Sequence, residues 1–329
     1  MFELSRDDNK YSQEDINKIR DHIETNGYAT NYIEPFGYLI STLLIFFFLL
    51  YYINITKGYN AGLILLLGLV NMRLFMMFHD MCHKSFFPTD ERKNNYKGFN
   101  FIMANTIDQW CLFSASSWNN IHSTHHKAHG NMNEYDGTRT VISSSEYDKL
   151  SAELKVLYNI VRFPPLFFIL APIYIYWISR IIHGDWLFII KYCAWLFLLF
   201  KFGSWKLLIS FLIAQYIAGF LGLILFHLQH QVNVGYWKKL DSGDKLSKDN
   251  AELLGASVQK IPWFMEYFTN GIEYHNVHHL DPGIPSYKTK NMYYDLVEKG
   301  LIPDKKVGYI QELSSLSHTI YNEKTGKYE

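Results

Sequence analysis

Cysteine is scarce in this 329-residue chain. Only Cys82, Cys111 and Cys193 occur, an odd and sparse set that argues against a disulfide framework and suits a reducing compartment. Net charge is missing as well. The 31 basic residues cancel the 31 acidic ones, and no nucleic-acid footprint stands out. The first 30 residues are polar and contain neither a short apolar core nor a small-residue cleavage site. No removable signal peptide is expected, so membrane insertion must rest on internal segments. Internal repeats, low-complexity stretches and a glycine fingerprint for a nucleotide or flavin are absent too.

Apolar residues, by contrast, are concentrated in a few long runs instead of recurring at the periods of soluble elements, and aromatic residues reach 17%. The runs 37–53 and 59–78 each approach the roughly 20 apolar residues that cross about 30 Å of hydrocarbon, and they read as a helical hairpin. The runs 186–202 and 207–226, joined by a short glycine-containing turn, read as a second hairpin, with Lys191 and Lys201 near enough to the ends to snorkel. The run 101–113 carries Asp108 and is short for a span, so it is expected in the interface or against protein. The run 157–182 is long enough to cross, but Pro164, Pro165 and Pro172 break it. Near the start, Ser12-Gln13-Glu14-Asp15 predicts a capped polar helix that ends at Gly27 and rests on the membrane surface. The fold class is therefore all-α integral membrane, with four transmembrane helices in two hairpins. A polar interfacial segment over 1–36 precedes a membrane domain over 37–295, and a polar tail follows over 296–329.

Ten of the 14 histidines fall in tight groups just beyond apolar runs. His79 and His83 are four apart and share a helical face at the end of the second run. His122, His125 and His126 form one HxxHH box, and His275, His278 and His279 form another. One pair of histidines at this spacing is commonplace. Two HxxHH boxes with an HxxxH in one chain are not, because crowded imidazoles repel when protonated and are costly to desolvate when buried. Metal coordination resolves both costs. Eight or nine imidazoles exceed what one ion takes, so two metals are implied, and iron, copper, zinc and nickel all suit the ligand. His227 and His230, three apart at the end of the last apolar run, form a partial fourth group in which either ring is a candidate.

These stretches resemble the membrane fatty acid desaturase family, particularly its acyl-lipid branch. The resemblance lies in HDMCHKSFF at 79–87, WNNIHSTHHKAH at 118–129, FHLQHQVNVGYW at 226–237 and NGIEYHNVHHLDPGIPSY at 270–287. It implies that His79, His83, His122, His125, His126, His275, His278 and His279 ligate two irons, a site that would also accept zinc, with His230 as ninth ligand in preference to His227. Dioxygen is then the co-substrate, and a cis double bond in an acyl chain, carried by a lipid or a thioester, is the product. Electrons must come from an external donor, cytochrome b5 or ferredoxin with a reductase, since no His-Pro-Gly-Gly haem motif is fused to the chain. Asp80, Asp136 and Glu273 lie in or beside the boxes and are suited to accept the free N–H of a ligating imidazole. His129 reads as a neighbour of the second box or as polar surface, and His22, His183 and His318 stand alone.

Boxes that build one site must lie on one face of the membrane, which requires an even number of crossings between them. Three runs separate the second box from the third, so one fails to cross, and the proline-broken 157–182 is the choice. The termini and metal cap then share the cytosolic side of the endoplasmic reticulum or an equivalent lipid-synthesising membrane. Lys84, Arg92, Lys93 and Lys97 fit that orientation, while Lys57, Lys201 and Lys206 oppose it. A hydroxylase or ketolase on the same scaffold is the rival enzyme. A membrane metal transporter, with histidines lining spans near the midplane, is the rival of another class.

Overall fold

The computed structural model describes residues 10–56, 59–88, 98–231, 237–241 and 243–329. Helix α1 (Gln13–Asn26) opens on the expected capping box, in which Ser12 Oγ accepts from Asp15 N at 3.1 Å and Asp15 accepts from Ser12 N at 3.1 Å. Its Ile16, Ile19 and Ile23 recur at helical spacing and are fully buried against Tyr274, Val277 and Leu296. Protein therefore covers the face expected on the membrane surface, each isoleucine contributing on the order of 2 kcal/mol.

Helices α2 (Ile33–Ile55) and α3 (Ala61–Cys82) form the first hairpin, with Phe46 and Leu50 packed among Leu67 and Val70. Buried Arg73 ties α3 to both flanks. Its Nε donates to Thr42 Oγ1 at 3.0 Å, Nη1 donates to the Tyr267 carbonyl, and the guanidinium lies 4.1 Å from the Tyr267 ring centre.

The short run at 101–113 does pack against protein. Helices α4 (Phe99–Cys111) and α5 (Ala115–Ala128) descend and return as a re-entrant pair. At the tip Leu112 adopts a left-handed φ of 65°, Ser114 caps α5, and Trp110 packs 5.7 Å from Phe46 and 5.6 Å from Trp195. Strand β1 (Ile142–Ser143) and helices α6 (Ser144–Asp148) and α7 (Ala152–Val161) follow.

The proline-broken run forms α8 (Pro164–Ile173), a π-turn over Tyr174–Ile178 and α9 (Ser179–Ile182), followed by α10 (Trp186–Phe202) and α11 (Trp205–His230). Among the described residues, four helices are long and apolar enough to span, α2, α3, Pro164–Ile182 and α11. That selection differs from the expected set, since α10, at 17 residues, is slightly shorter. Tertiary contacts decide between the two. Along α10, Tyr192 bonds Gln215, Trp195 packs on Phe211 and Leu199 joins Leu207, so α10 follows α11 to its far end. At 1.5 Å per residue, Leu207 is about 30 Å from His227. In contrast, Phe168 lies on His227 at 5.3 Å, and Asp185, just beyond α9, accepts from Ser117 Oγ at 2.5 Å, about 8 Å along α5 from His122. Both ends of 164–182 stay on the histidine side, so this run dips and α10 makes the crossing.

Beyond α11 lies the cap, comprising α12 (Lys245–Gly255), α13 (Glu266–Thr269), α14 (His275–Leu280), α15 (Ser286–Glu298) and α16 (Tyr309–Ser315). Strands β2 (Ile320–Asn322) and β3 (Lys327–Tyr328) complete a small sheet in the order β1-β2-β3, parallel then antiparallel. The sheet brings the last described residues back over the loop that follows α5.

Candidate metal centre

Four elements deliver imidazoles to one place. Helix α3 carries His79 in its last turn, with His83 as its C-cap, α5 presents His122, His125 and His126, α11 ends on His230, and α14 carries His275, His278 and His279. Helix α14 is aimed by the turn before it. Gly271 adopts φ 95° so close to α15 that a Cβ would sit 2.1 Å from the Ser286 carbonyl oxygen, which only glycine can accommodate. Asn270 Nδ2 donates to Ser286 Oγ at 2.6 Å, and Ser286 donates to Asp80 Oδ2 through N at 2.7 Å and Oγ at 2.6 Å. The third box is thereby tied to the first.

Eight of the nine imidazoles divide into two groups, His79, His83, His122 and His278 in one and His125, His230, His275 and His279 in the other. Donor atoms within each group lie within 4.8 Å of one another. His126 sits at the junction, its Nε2 3.2 Å from the Nε2 atoms of both His122 and His278, and it also clusters with Glu252 and His279. Other Nε2 pairs are His79 with His122 at 2.8 Å, His230 with His275 at 3.1 Å, and His275 with His279 at 3.1 Å. Two ligands about 2.1 Å from one ion and at right angles to it stand about 3 Å apart, so the spacing matches shared coordination. The burial does too. His83 Nε2 and His125 Nε2 are buried without a hydrogen-bond partner, as expected of lone pairs reserved for an ion. Burial, then the neighbouring imidazoles, holds His122, His126, His275, His278 and His279 well below the usual histidine range, keeping them in the neutral form that binds metal.

Carboxylates orient three of the rings. Asp80 faces His79 Nδ1 at 3.0 Å and Asp136 faces His125 Nδ1 at 2.8 Å. Burial raises the Asp136 carboxyl, but bonds from His125 and Thr138 outweigh it and hold the group well below the carboxylate range. Glu252 faces His279 Nδ1 at 2.8 Å, and Lys248 pairs with its other oxygen at 2.7 Å. Burial pushes Glu252 up to about 8 against the pull of Lys248. Sequence reasoning missed Glu252, which lies 27 residues before His279 and outside every box.

Glu273 does not share this arrangement. It is buried beside the third box, yet neither carboxylate oxygen has a hydrogen-bond partner. His227 turns away from the cluster, with Nδ1 3.0 Å from Thr140 Oγ1 and Nε2 donating to the Ser315 carbonyl at 2.7 Å. His129 is buried rather than on the surface, its ring 4.1 Å from that of His279. The remaining three histidines are engaged elsewhere, His22 with Asp295, His183 with the Ser179 carbonyl and His318 with the Gln231 carbonyl.

Below the cluster, Phe75 and Trp118 form a lid, with Trp118 stacked on His122 at 4.7 Å. Beneath them, Met72, Leu112, Tyr176, Gly219 and Gly222 surround a cleft of about 20 Å³ between α3, α4 and α11.

Residues 58–312 match the family model described as fatty acid desaturase. A protein named "Fatty acid desaturase" from Bacillus subtilis (strain 168) is 30% identical over 272 residues, which cover 76% of this chain and 73% of that protein. The "sn-1 oleoyl-lipid 12-desaturase" of Picosynechococcus sp. (strain ATCC 27264 / PCC 7002 / PR-6) is 24% identical over 244 residues, 67% of this chain and 63% of that one. With the buried histidine cluster at the end of its apolar helices and a family match over most of its length, this chain belongs to the fatty acid desaturase family.

Proposed function

We propose that the chain is an oxygen-dependent acyl desaturase holding two irons. His79, His83, His122 and His278 would hold one, and His125, His230, His275 and His279 the other, with His126 between them. The observation that carries this reading is the pair of four-histidine groups, one of them completed by His230. Iron bound there would supply dioxygen activation and the oxidising power to remove hydrogen from an unactivated methylene. Asp80, Asp136 and Glu252 hold three imidazoles in one tautomer and orientation. The remaining task of the chain is placement. The cleft below Phe75 would hold the far end of an acyl chain, and its depth would select the carbons presented to the metals. An acyl group on a lipid is the substrate we favour, given the lipid desaturase among the relatives.

The metal side would face the cytosol and receive electrons there from cytochrome b5 or ferredoxin with a reductase. Lys84 lies on that side, whereas Lys57, Arg92, Lys93 and Lys97 fall outside the described residues. The proposal keeps the membrane domain over 37–295 with polar segments flanking it.

Expression in a host lacking desaturases, followed by mass spectrometry of its lipids, tests the reading. Acyl chains lighter by two hydrogens are expected. Chains heavier by one oxygen would instead make the protein a hydroxylase.

A further inference from the structure

A second cavity touches the cluster from the cap side, away from the lipid-facing cleft. Its volume is about 40 Å³, enough for more than one water, and its wall includes His129, His230, Gln231, Asp136, Arg139 and Tyr328. It contains buried polar atoms without partners. His129 Nε2, His230 Nδ1 and Gln231 Oε1 are all buried and make no hydrogen bond. The three residues expose only 8%, 6% and 4% of their surface. Native proteins rarely leave such atoms unsatisfied, and a roomy site with two to four polar partners holds water, whereas an apolar void stays dry.

We infer that this cavity is a water site joining the metal centre to the cap surface, a path for protons inward and product water outward. Ordered water accepts from or donates to His129 Nε2, His230 Nδ1 and Gln231 Oε1, and protons pass along it without any side chain changing charge. The role, though not the occupancy, rests on the proposed desaturation. Each turnover of that reaction takes one dioxygen, two electrons from the external donor and two protons. It breaks a C–H bond on each of two adjacent methylenes, forms the C=C bond and releases two waters, so protons and water must cross the protein. On the opposite side, the cleft below Phe75 is lined mostly by apolar and aromatic side chains, with Asn71 Oδ1 and Trp110 Nε1 as its unpartnered polar atoms. The cap-side cavity supplies polar contacts next to two of the proposed ligands. Tyr328, from β3, and Arg139, whose guanidinium lies 4.6 Å from the Trp237 ring centre, flank it.

A structure of the metal-loaded protein at a resolution that resolves ordered water is the first arm of the test. Water within hydrogen-bond distance of His129 Nε2 and Gln231 Oε1 is expected, and a dry cavity overturns the inference whatever the lipid products are. The second arm uses Ala128→Leu, which fills the cavity from a lining position, and Gln231→Leu, which removes a polar partner. Metal content and thermal unfolding are measured alongside turnover. Both variants should keep two metals per chain, turn over at least about threefold more slowly and show a larger solvent deuterium isotope effect. If either variant keeps its metals and fold with wild-type turnover and isotope effect, the conduit is overturned. If Ala128→Leu fails to fold, Gln231→Leu alone decides this arm. Absence of desaturated product from the wild type, with water present in the cavity, would instead refute the proposed function.

Discussion

Glu252 Oε2 lies 2.8 Å from His279 Nδ1, and the opposite ring nitrogen of His279 joins the four-histidine group that includes His230. A carboxylate behind a ligand fixes the ring and raises its basicity, and removing one typically costs 10–100-fold in metal affinity or activity. Glu252→Ala should accordingly lose metal by about that factor in titrations with a competing chelator. Wild-type affinity in this variant would remove Glu252 from the centre.

The two candidates at the end of α11 are separated by direct substitution. His230→Ala should lower bound metal by about one ion per chain and abolish product. His227→Ala, whose nitrogens are engaged by Thr140 and the Ser315 carbonyl, should leave metal content unchanged. The reverse pattern would reassign the ninth ligand. His125→Ala should also abolish product while leaving the protein in the membrane, since losing a ligand removes no span.

Ser286 links the boxes by donating to Asp80 twice and accepting from Asn270. Ser286→Ala keeps the backbone donor but leaves a buried carboxylate oxygen with one bond fewer, at a cost of about 1–3 kcal/mol. A lower midpoint of thermal unfolding for the purified protein is the expected reading.

The cleft below Phe75 owes its shape to Gly219, where a Cβ would meet Tyr176 Cε2 at 2.5 Å. Gly219→Leu must displace that ring or fill the cleft. The expected result is a shift toward shorter acyl chains or a moved double bond, read by gas chromatography of derivatised lipids. An unchanged product profile would place the acyl chain elsewhere.

Metal removal should expose a pH dependence. In the metal-free protein, burial holds His122, His126, His275, His278 and His279 well below their ordinary value near 6.5. The unfolded chain then binds more protons than the folded one below about pH 6.5, so stability falls as pH falls. After chelation, the unfolding midpoint should drop between pH 7.5 and 5.5, and the metal-loaded protein should unfold at a higher temperature throughout.

The ligand boxes were legible because α5 and α14 are short helices in which spacings of three and four put rings on one face. The capping box of α1 was legible for a similar reason, its signal being confined to four residues. Glu252 was not legible, because α12 is brought to α14 by tertiary packing, with Leu253 and Val277 in one core cluster, and no local pattern marks that contact. The burial of His129 was equally hidden, since it depends on how the end of α5 meets α14 and α11.

Topology was legible in part. Hydropathy counts residues, and it favours Pro164–Ile182 over the shorter α10. The prolines and the need for an even number of crossings favour 186–202 instead, and the pairing of α10 with the far half of α11 and the return of Asp185 to Ser117 agree with that choice.

By itself the sequence determined what short-range chemistry can encode, namely apolar runs long enough to cross a bilayer and three boxes that imply two metals. Tertiary structure alone decided which ring at the end of α11 joins the cluster, that Glu252 and not Glu273 stands behind a ring, and that His129 is buried beside His279. Those outcomes depend on where distant segments meet, and contacts across the fold leave no period in the chain.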